Sequence, residues 1–151
     1  MTCASAAECW AVGAYGSFAS DDFSQNEIMR WNGKKWSKLT TPNPGGTSDG
    51  SNSELISLTC ASSTECWGAG FYGSVGSANF SANQIPRWNG KKWSKVATPS
   101  PAGTSGGDSS ELFAIRCSAP ARCWAVGSAN KATGHEFDVA LHWKGSAWSQ
   151  G

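Results

Sequence analysis

Arg30-Trp31-Asn32-Gly33-Lys34-Lys35-Trp36-Ser37-Lys38 returns unchanged at Arg87–Lys95, and its frame, Trp-x-Gly-x-x-Trp, returns once more at 143–148. A nine-residue block that recurs 57 residues later marks an internal repeat, and a repeat sets the architecture of a chain. Working outward, Cys3/Cys9, Cys60/Cys66 and Cys117/Cys123 form three Cys-x5-Cys pairs that step by the same 57 residues. A tryptophan follows the second cysteine each time: Trp10, Trp67 and Trp124. The remaining six form Trp31/Trp36, Trp88/Trp93 and Trp143/Trp148, with the third copy two residues shorter between Trp124 and Trp143. All 6 Cys and 9 Trp belong to the pattern. Aligned without gaps, Cys3–Ser53 and Cys60–Ser110 agree at 32 of 51 positions. The chain reads as one repeat domain, with repeats at 1–53, 54–110 and 111–151.

The second repeat, taken as the full unit, contains four strand-like segments. Leu55–Cys60 is a short apolar run, and Cys66–Tyr72 follows it after five small polar residues. Gln84–Trp88 contains Pro86, which suits an edge or bulged position. Trp93–Ala97 comes after Asn89-Gly90, a pair that favours a tight hairpin. Thr98–Ser110, rich in Pro, Gly and Ser, reads as a surface loop into the next repeat. No segment carries a 3.6-residue apolar period. The expectation is four antiparallel strands per repeat, all-β, and a four-stranded repeat of this length most often builds a propeller blade.

The motifs resemble the repeats of secreted bacterial β-propellers, in which a Cys/Trp-Ala-Val-Gly strand is followed by a Trp-Asn-Gly-x-x-Trp hairpin and a Ser/Pro/Gly-rich loop. The matching residues are Cys9–Gly13, Cys123–Gly127 and the three Trp hairpins, while the second copy departs with Cys66-Trp67-Gly68-Ala69-Gly70. Kelch-type and Asp-box propellers are more distant, and the Asp-box pattern is absent. The resemblance implies three four-stranded blades. The rival is a β-trefoil, which also has three four-stranded repeats in about 150 residues, but 57 residues per repeat is long for it and its usual Gln-x-Trp signature is missing.

Three blades are fewer than the roughly four to eight that close a propeller. They would form an arc with two apolar faces open, a liability unless covered. A head-to-tail homodimer would give a six-bladed ring. An excised or engineered fragment of a larger propeller, or an open assembly that grows into fibres, is the alternative.

Composition narrows the function. Lys and Arg number 12 against 11 Asp and Glu, a net charge of +1 with no basic block; a protein that neutralises many phosphates needs a cationic face, so nucleic acid is not an expected partner. No apolar run approaches the roughly 18 residues of a membrane-spanning helix.

The two cysteines of each repeat flank a five-residue turn, where hairpin partners come close enough for a bond. Cys3–Cys9, Cys60–Cys66 and Cys117–Cys123 are therefore expected disulfides, which place the protein in an oxidising, extracellular setting. A zinc site needs four ligands, and one Cys pair per repeat with only His135 and His142 to help does not supply them. No metal and no cofactor are expected.

Exposed indoles stack on sugar rings, so the Trp hairpins invite a carbohydrate-binding reading. Trp31, Trp88 and Trp143 are each preceded by a basic or near-basic residue, Arg30, Arg87 and His142. Asn26 and Asn83, with Asp138 at the corresponding place, are expected to add polar partners one strand away. That trio, repeated once per blade, is the candidate glycan site. The plainer reading is that the hairpin tryptophans pair across the turn and that Trp10, Trp67 and Trp124 pack on the disulfides. No nucleophile elbow or His-centred triad appears, and only His135, Glu136 and Asp138 break the repeat, so no enzyme is expected. Asp49–Glu54 and Asp108–Glu111 read as solvated loops. The functional expectation is a non-catalytic secreted repeat module that presents an interaction surface, glycan being the favoured ligand, with a purely structural self-assembling role as the alternative.

Overall fold

The computed structural model describes residues 1–17, 23–74 and 80–151. Twelve strands are present among them, and no helix. They fall into three four-stranded units. The first contains β1 (Thr2–Ser5), β2 (Glu8–Ser17), β3 (Phe23–Trp31) and β4 (Trp36–Leu39). The second contains β5 (Ser51–Ser62), β6 (Glu65–Ser74), β7 (Phe80–Trp88) and β8 (Trp93–Val96). The third contains β9 (Ser109–Ala119), β10 (Arg122–Asn130), β11 (Glu136–Trp143) and β12 (Trp148–Gln150). Each unit is an antiparallel meander in chain order. A single parallel bridge, Ser81 to Ser109, links the second unit to the third.

The strands expected from the sequence are all present, several of them longer than expected. Leu55–Cys60 extends to Ser51–Ser62, Gln84–Trp88 begins at Phe80, and the loop expected to run to Ser110 gives way to β9 at Ser109. Most of the added residues are small or polar, which hides them from a hydrophobic-pattern reading. Ser51, Ser53 and Ser110 are nevertheless buried, because short side chains let neighbouring backbones approach. Pro86, expected at an edge or bulged position, lies in β7, which pairs with both β6 and β8. The β6–β7 ladder is interrupted there, resuming at Gly70–Gln84 after Trp67–Arg87, so the missing N–H breaks no pair.

All three expected disulfides are formed: Cys3–Cys9, Cys60–Cys66 and Cys117–Cys123. Each joins directly opposed residues of the first two strands of its own unit. The hairpin turns are also as expected. Gly33, Gly90 and Gly145 adopt φ of 86°, 86° and 91°, a region open to glycine at little cost. Asn32 Oδ1 accepts from the backbone N–H groups of Lys34 and Lys35, and Asn89 repeats this with Lys91 and Lys92.

The apolar cores lie between units. One core draws Trp10 and Ile28 from the first unit and Leu55, Leu58, Cys66, Trp88 and Trp93 from the second. The other draws Trp67, Ala69 and Ile85 from the second and Leu112, Ile115, Ala125, Leu141, Trp143 and Trp148 from the third. Side chains alternate across a strand, so the second unit sends one face into each core. The outward-facing surfaces of the first and third units have no such partner among the described residues.

Candidate functional site

The two inter-unit layers are built alike. Trp10 of β2 lies with its ring centroid 5.0 Å from Trp88 and 5.7 Å from Trp93, the hairpin pair of the next unit. Trp67 of β6 repeats this with Trp143 at 4.8 Å and Trp148 at 5.6 Å. Tilted and edge-on rings at these separations are the favourable aromatic geometries. Both central tryptophans are fully buried. The disulfide cysteines that share a core with them are those of the following unit, Cys60 and Cys66 for Trp10 and Cys117 and Cys123 for Trp67.

Arg30 sits opposite Trp10 on β3, with its guanidinium 5.1 Å from the Trp10 ring and 5.9 Å from Trp88. Arg87 does the same over Trp67 and Trp143, at 5.0 and 5.9 Å. Each is oriented by a carboxylate of its own unit: Arg30 donates to Glu8 at 2.7 Å, and Arg87 to Glu65 at 2.9 Å. The arginine thus lids the indole stack, a cation–π arrangement shared across a junction.

A polar layer lies beside the aromatic one. The Asn26 side-chain amide donates to Gln84 Oε1 at 2.8 Å and to the Pro42 carbonyl at 2.7 Å, and Gln84 Nε2 donates back to Asn26 Oδ1 at 3.0 Å. Asn83 is equally buried and its amide donates to the Pro99 carbonyl at 2.8 Å. Its Oδ1, however, has no partner. Strand register supplies the reason. Gly70 opposes Gln84 on β7, whereas the equivalent Gly127 opposes Val139 on β11, so the residue standing where Gln84 stands cannot donate.

At the two ends the same components are uncovered. Trp124, equivalent to Trp10 and Trp67, is 48% exposed. Its one aromatic partner among the described residues is His142 of its own unit, stacked at 4.2 Å and 10°. Val126, equivalent to the buried Ala69, is also exposed, as is Phe113. A groove of about 500 Å³ runs over this face, bordered by Phe113, Val126, Asp138, Ala140 and Gln150. On the first unit the hairpin pair Trp31/Trp36 stacks at 5.9 Å, but Trp36 is 40% exposed whereas Trp93 and Trp148 are each 5% exposed.

The residues singled out for glycan binding are therefore split. Asn26, Asn83, Trp88 and Trp143 are buried between units and have no free surface for a sugar; for them the packing reading replaces the glycan reading. Arg30 and Arg87 keep partly exposed edges but are held by Glu8, Glu65 and the indoles. Trp31, His142 and Asp138 lie on open faces. His135 and Glu136 are exposed at the β10–β11 turn. Asp108, read as part of a solvated loop, is buried: its carboxylate accepts from the backbone N–H groups of Ser105 and Ala132, tying the β8–β9 loop to the β10–β11 turn. Among the described residues no three His, Cys, Asp or Glu side chains are grouped to hold a metal ion. Among the described residues no helix is long and apolar enough to cross a membrane. Three disulfides fit an oxidising environment.

The cross-unit role of Trp10 and Trp67 escaped the sequence reading, although a signal existed. Three tryptophans per repeat, two of them paired across a hairpin, leave one indole per unit to be covered from outside.

Compared with family models, curated proteins and solved structures, the chain matches none of them.

Proposed function

We infer that the three units are β-propeller blades and that the chain is a non-catalytic, extracellular interaction module whose blades recognise one another through their faces. The observation that carries this reading is the repetition of one contact. An indole of one unit seats against the hairpin tryptophans of the next under an arginine lid, twice within the chain, and both halves of that contact stand open at the ends. Stacked four-stranded meanders with their cores between the sheets are how blades pack. Exposed apolar faces of this kind are commonly interaction sites, and self-association is the partner they favour. The disulfides support an extracellular location.

A β-trefoil would close its three repeats on each other with threefold symmetry, so Trp124 would lie against Trp31 just as Trp10 lies against Trp88. Indole nuclear Overhauser contacts in the monomer separate the two. Contacts between Trp10 and Trp88 and between Trp67 and Trp143, without one between Trp124 and Trp31, support blades; a third contact of equal strength would move the reading to the trefoil.

Carbohydrate binding is a second reading, favoured only by the open indoles of Trp31, Trp36 and Trp124. A tryptophan-fluorescence titration with soluble oligosaccharides tests it: a saturable shift that Trp124→Ala or Trp36→Ala reduces supports glycan recognition, and a flat response leaves blade–blade association alone.

A further inference from the structure

We propose that the open face of the third unit docks onto the open face of the first unit of a second copy, and that this junction closes when the Asp138–Glu27 pair it brings together takes up a proton. The proposal rests on the blade reading, and its template is the pair of junctions inside the chain.

Register makes the transfer residue by residue. Trp10 opposes Arg30, Trp67 opposes Arg87, and Trp124 opposes His142. Trp31 opposes Trp36 just as Trp88 opposes Trp93 and Trp143 opposes Trp148. Laid onto the open ends, the template seats Trp124 against the second copy's Trp31 and Trp36. Its aromatic layer is complete there, with His142 in the arginine's place.

The polar layer is different. Asn26, Asn83 and Asp138 oppose Ala14, Phe71 and Ser128, while Glu27, Gln84 and Val139 oppose Gly13, Gly70 and Gly127. Where Asn26 and Gln84 exchange two hydrogen bonds inside the chain, the intermolecular junction places Asp138 against Glu27. Lys38, with its ammonium 3.4 Å from Glu27 and also 3.4 Å from the Tyr15 ring centroid, compensates one carboxylate. The second remains uncompensated. His142 on β11 and Arg116 on β9 oppose Trp124 from either side, so they face the aromatic layer, whereas Glu111 on β9 opposes Ser128, the residue that Asp138 also opposes, and adds a further negative charge on that side.

Two carboxylates held at hydrogen-bond distance do not both ionise; one keeps its proton and the apparent pKa of the pair rises. The protonated acid then donates where the Gln84 amide donates inside the chain. Since the docked pair binds a proton more tightly than the separate faces do, docking is favoured below the raised pKa and is lost as pH climbs through it.

The test is light scattering of the intact, non-reduced protein across concentrations at pH 7.5 and pH 4.5. Wild type is expected to scatter as the 15.8 kDa monomer at pH 7.5 and to associate at pH 4.5, with the dissociation constant falling about tenfold or more, the equivalent of one unit of pKa. Asp138→Asn and Glu27→Gln, both at exposed or half-exposed positions, are expected to associate already at pH 7.5. They should lose the wild-type difference between the two pH values. Trp124→Ala is expected to remain monomeric at both values. Wild type associating equally at both pH values overturns the proton linkage. Asp138→Asn remaining monomeric throughout overturns the docking, as does Trp124→Ala associating as wild type does. If docking fails while the intrachain contact between Trp10 and Trp88 persists by nuclear Overhauser measurement, the blade reading stands; loss of that contact sinks both.

Discussion

Truncating the same tryptophan in each unit is the most direct examination of where the cores lie. Trp67 is fully buried, between Trp143, Trp148 and the Arg87 guanidinium. Trp67→Ala loses about 3 to 5 kcal/mol for the buried side chain. Two aromatic pairs contribute roughly 0.5 to 1.5 kcal/mol each beyond area. The half-exposed arginine adds about 0.5 to 1 kcal/mol. Against this, the Trp67 Nε1 donor has no partner, and removing an unsatisfied donor returns roughly 1 kcal/mol. The net expectation is a loss of about 5 kcal/mol, a large part of the 5 to 15 kcal/mol that typically holds a domain together. Trp10→Ala is expected to cost as much. Trp124→Ala removes one stacked pair and a side chain already half in water, so about 1 kcal/mol is expected. The assay is urea unfolding at pH 7.5 without reductant, followed by near-ultraviolet circular dichroism, with Trp67→Phe as a milder variant should the alanine form not fold. A Trp124→Ala loss within about 1 kcal/mol of the Trp67→Ala loss would refute the inter-unit cores, because Trp67 is enclosed by the next unit whereas Trp124 is half exposed.

Asn26→Ala leaves the buried Gln84 Oε1 without its donor, while Nε2 keeps the Glu54 and Phe71 carbonyls, and should cost about 2 kcal/mol, whereas Asn83→Ala, whose Oδ1 is already unpartnered, should cost no more than about 1 kcal/mol; equal losses in urea unfolding would contradict the polar-layer account. A Cβ on Gly70 would stand 1.9 Å from the Glu54 carbonyl oxygen and one on Gly127 1.8 Å from that of Glu111, while one on Gly13 meets nothing within 4 Å. Gly70→Ala and Gly127→Ala should therefore lower the melting temperature by several degrees, with Gly13→Ala close to neutral. Replacing Cys117 and Cys123 together with serine opens a short loop and should cost about 2 kcal/mol by chain entropy, measurable as a shift of the urea midpoint with the other two bonds intact.

The strand count, the hairpin turns and the disulfide partners were legible because each depends on residues near one another in sequence. Asn-Gly fixes a turn within four residues, and Cys-x5-Cys closes within one hairpin. The cross-unit contacts were not legible, because the repeat makes equivalent positions look equivalent. Trp10 and Trp124 share the same Cys-Trp-Ala-Val-Gly context, yet one is buried and the other half exposed, since burial depends on whether another unit follows. For the same reason the Arg/Trp/Asn trio looked like a repeated ligand site. Asn26 and Trp88, its members from different units, lie in the same interface between the first unit and the second. The early start of β7 was hidden by Phe80-Ser-Ala-Asn, in which three of four side chains are small or polar.

All three disulfides close loops inside single units, with a sequence separation of 6 each. No covalent cross-link spans either junction, and this decides how the molecule would behave under load. A chain pulled from its two ends would part at the tryptophan layers, one unit at a time. Each parting would release roughly 50 residues, or about 170 Å at 3.3 to 3.6 Å per residue, while the six or so residues behind each sulfur bridge stayed hidden from the extension. Chemical reduction would lengthen every step by that withheld loop and leave the number of steps unchanged.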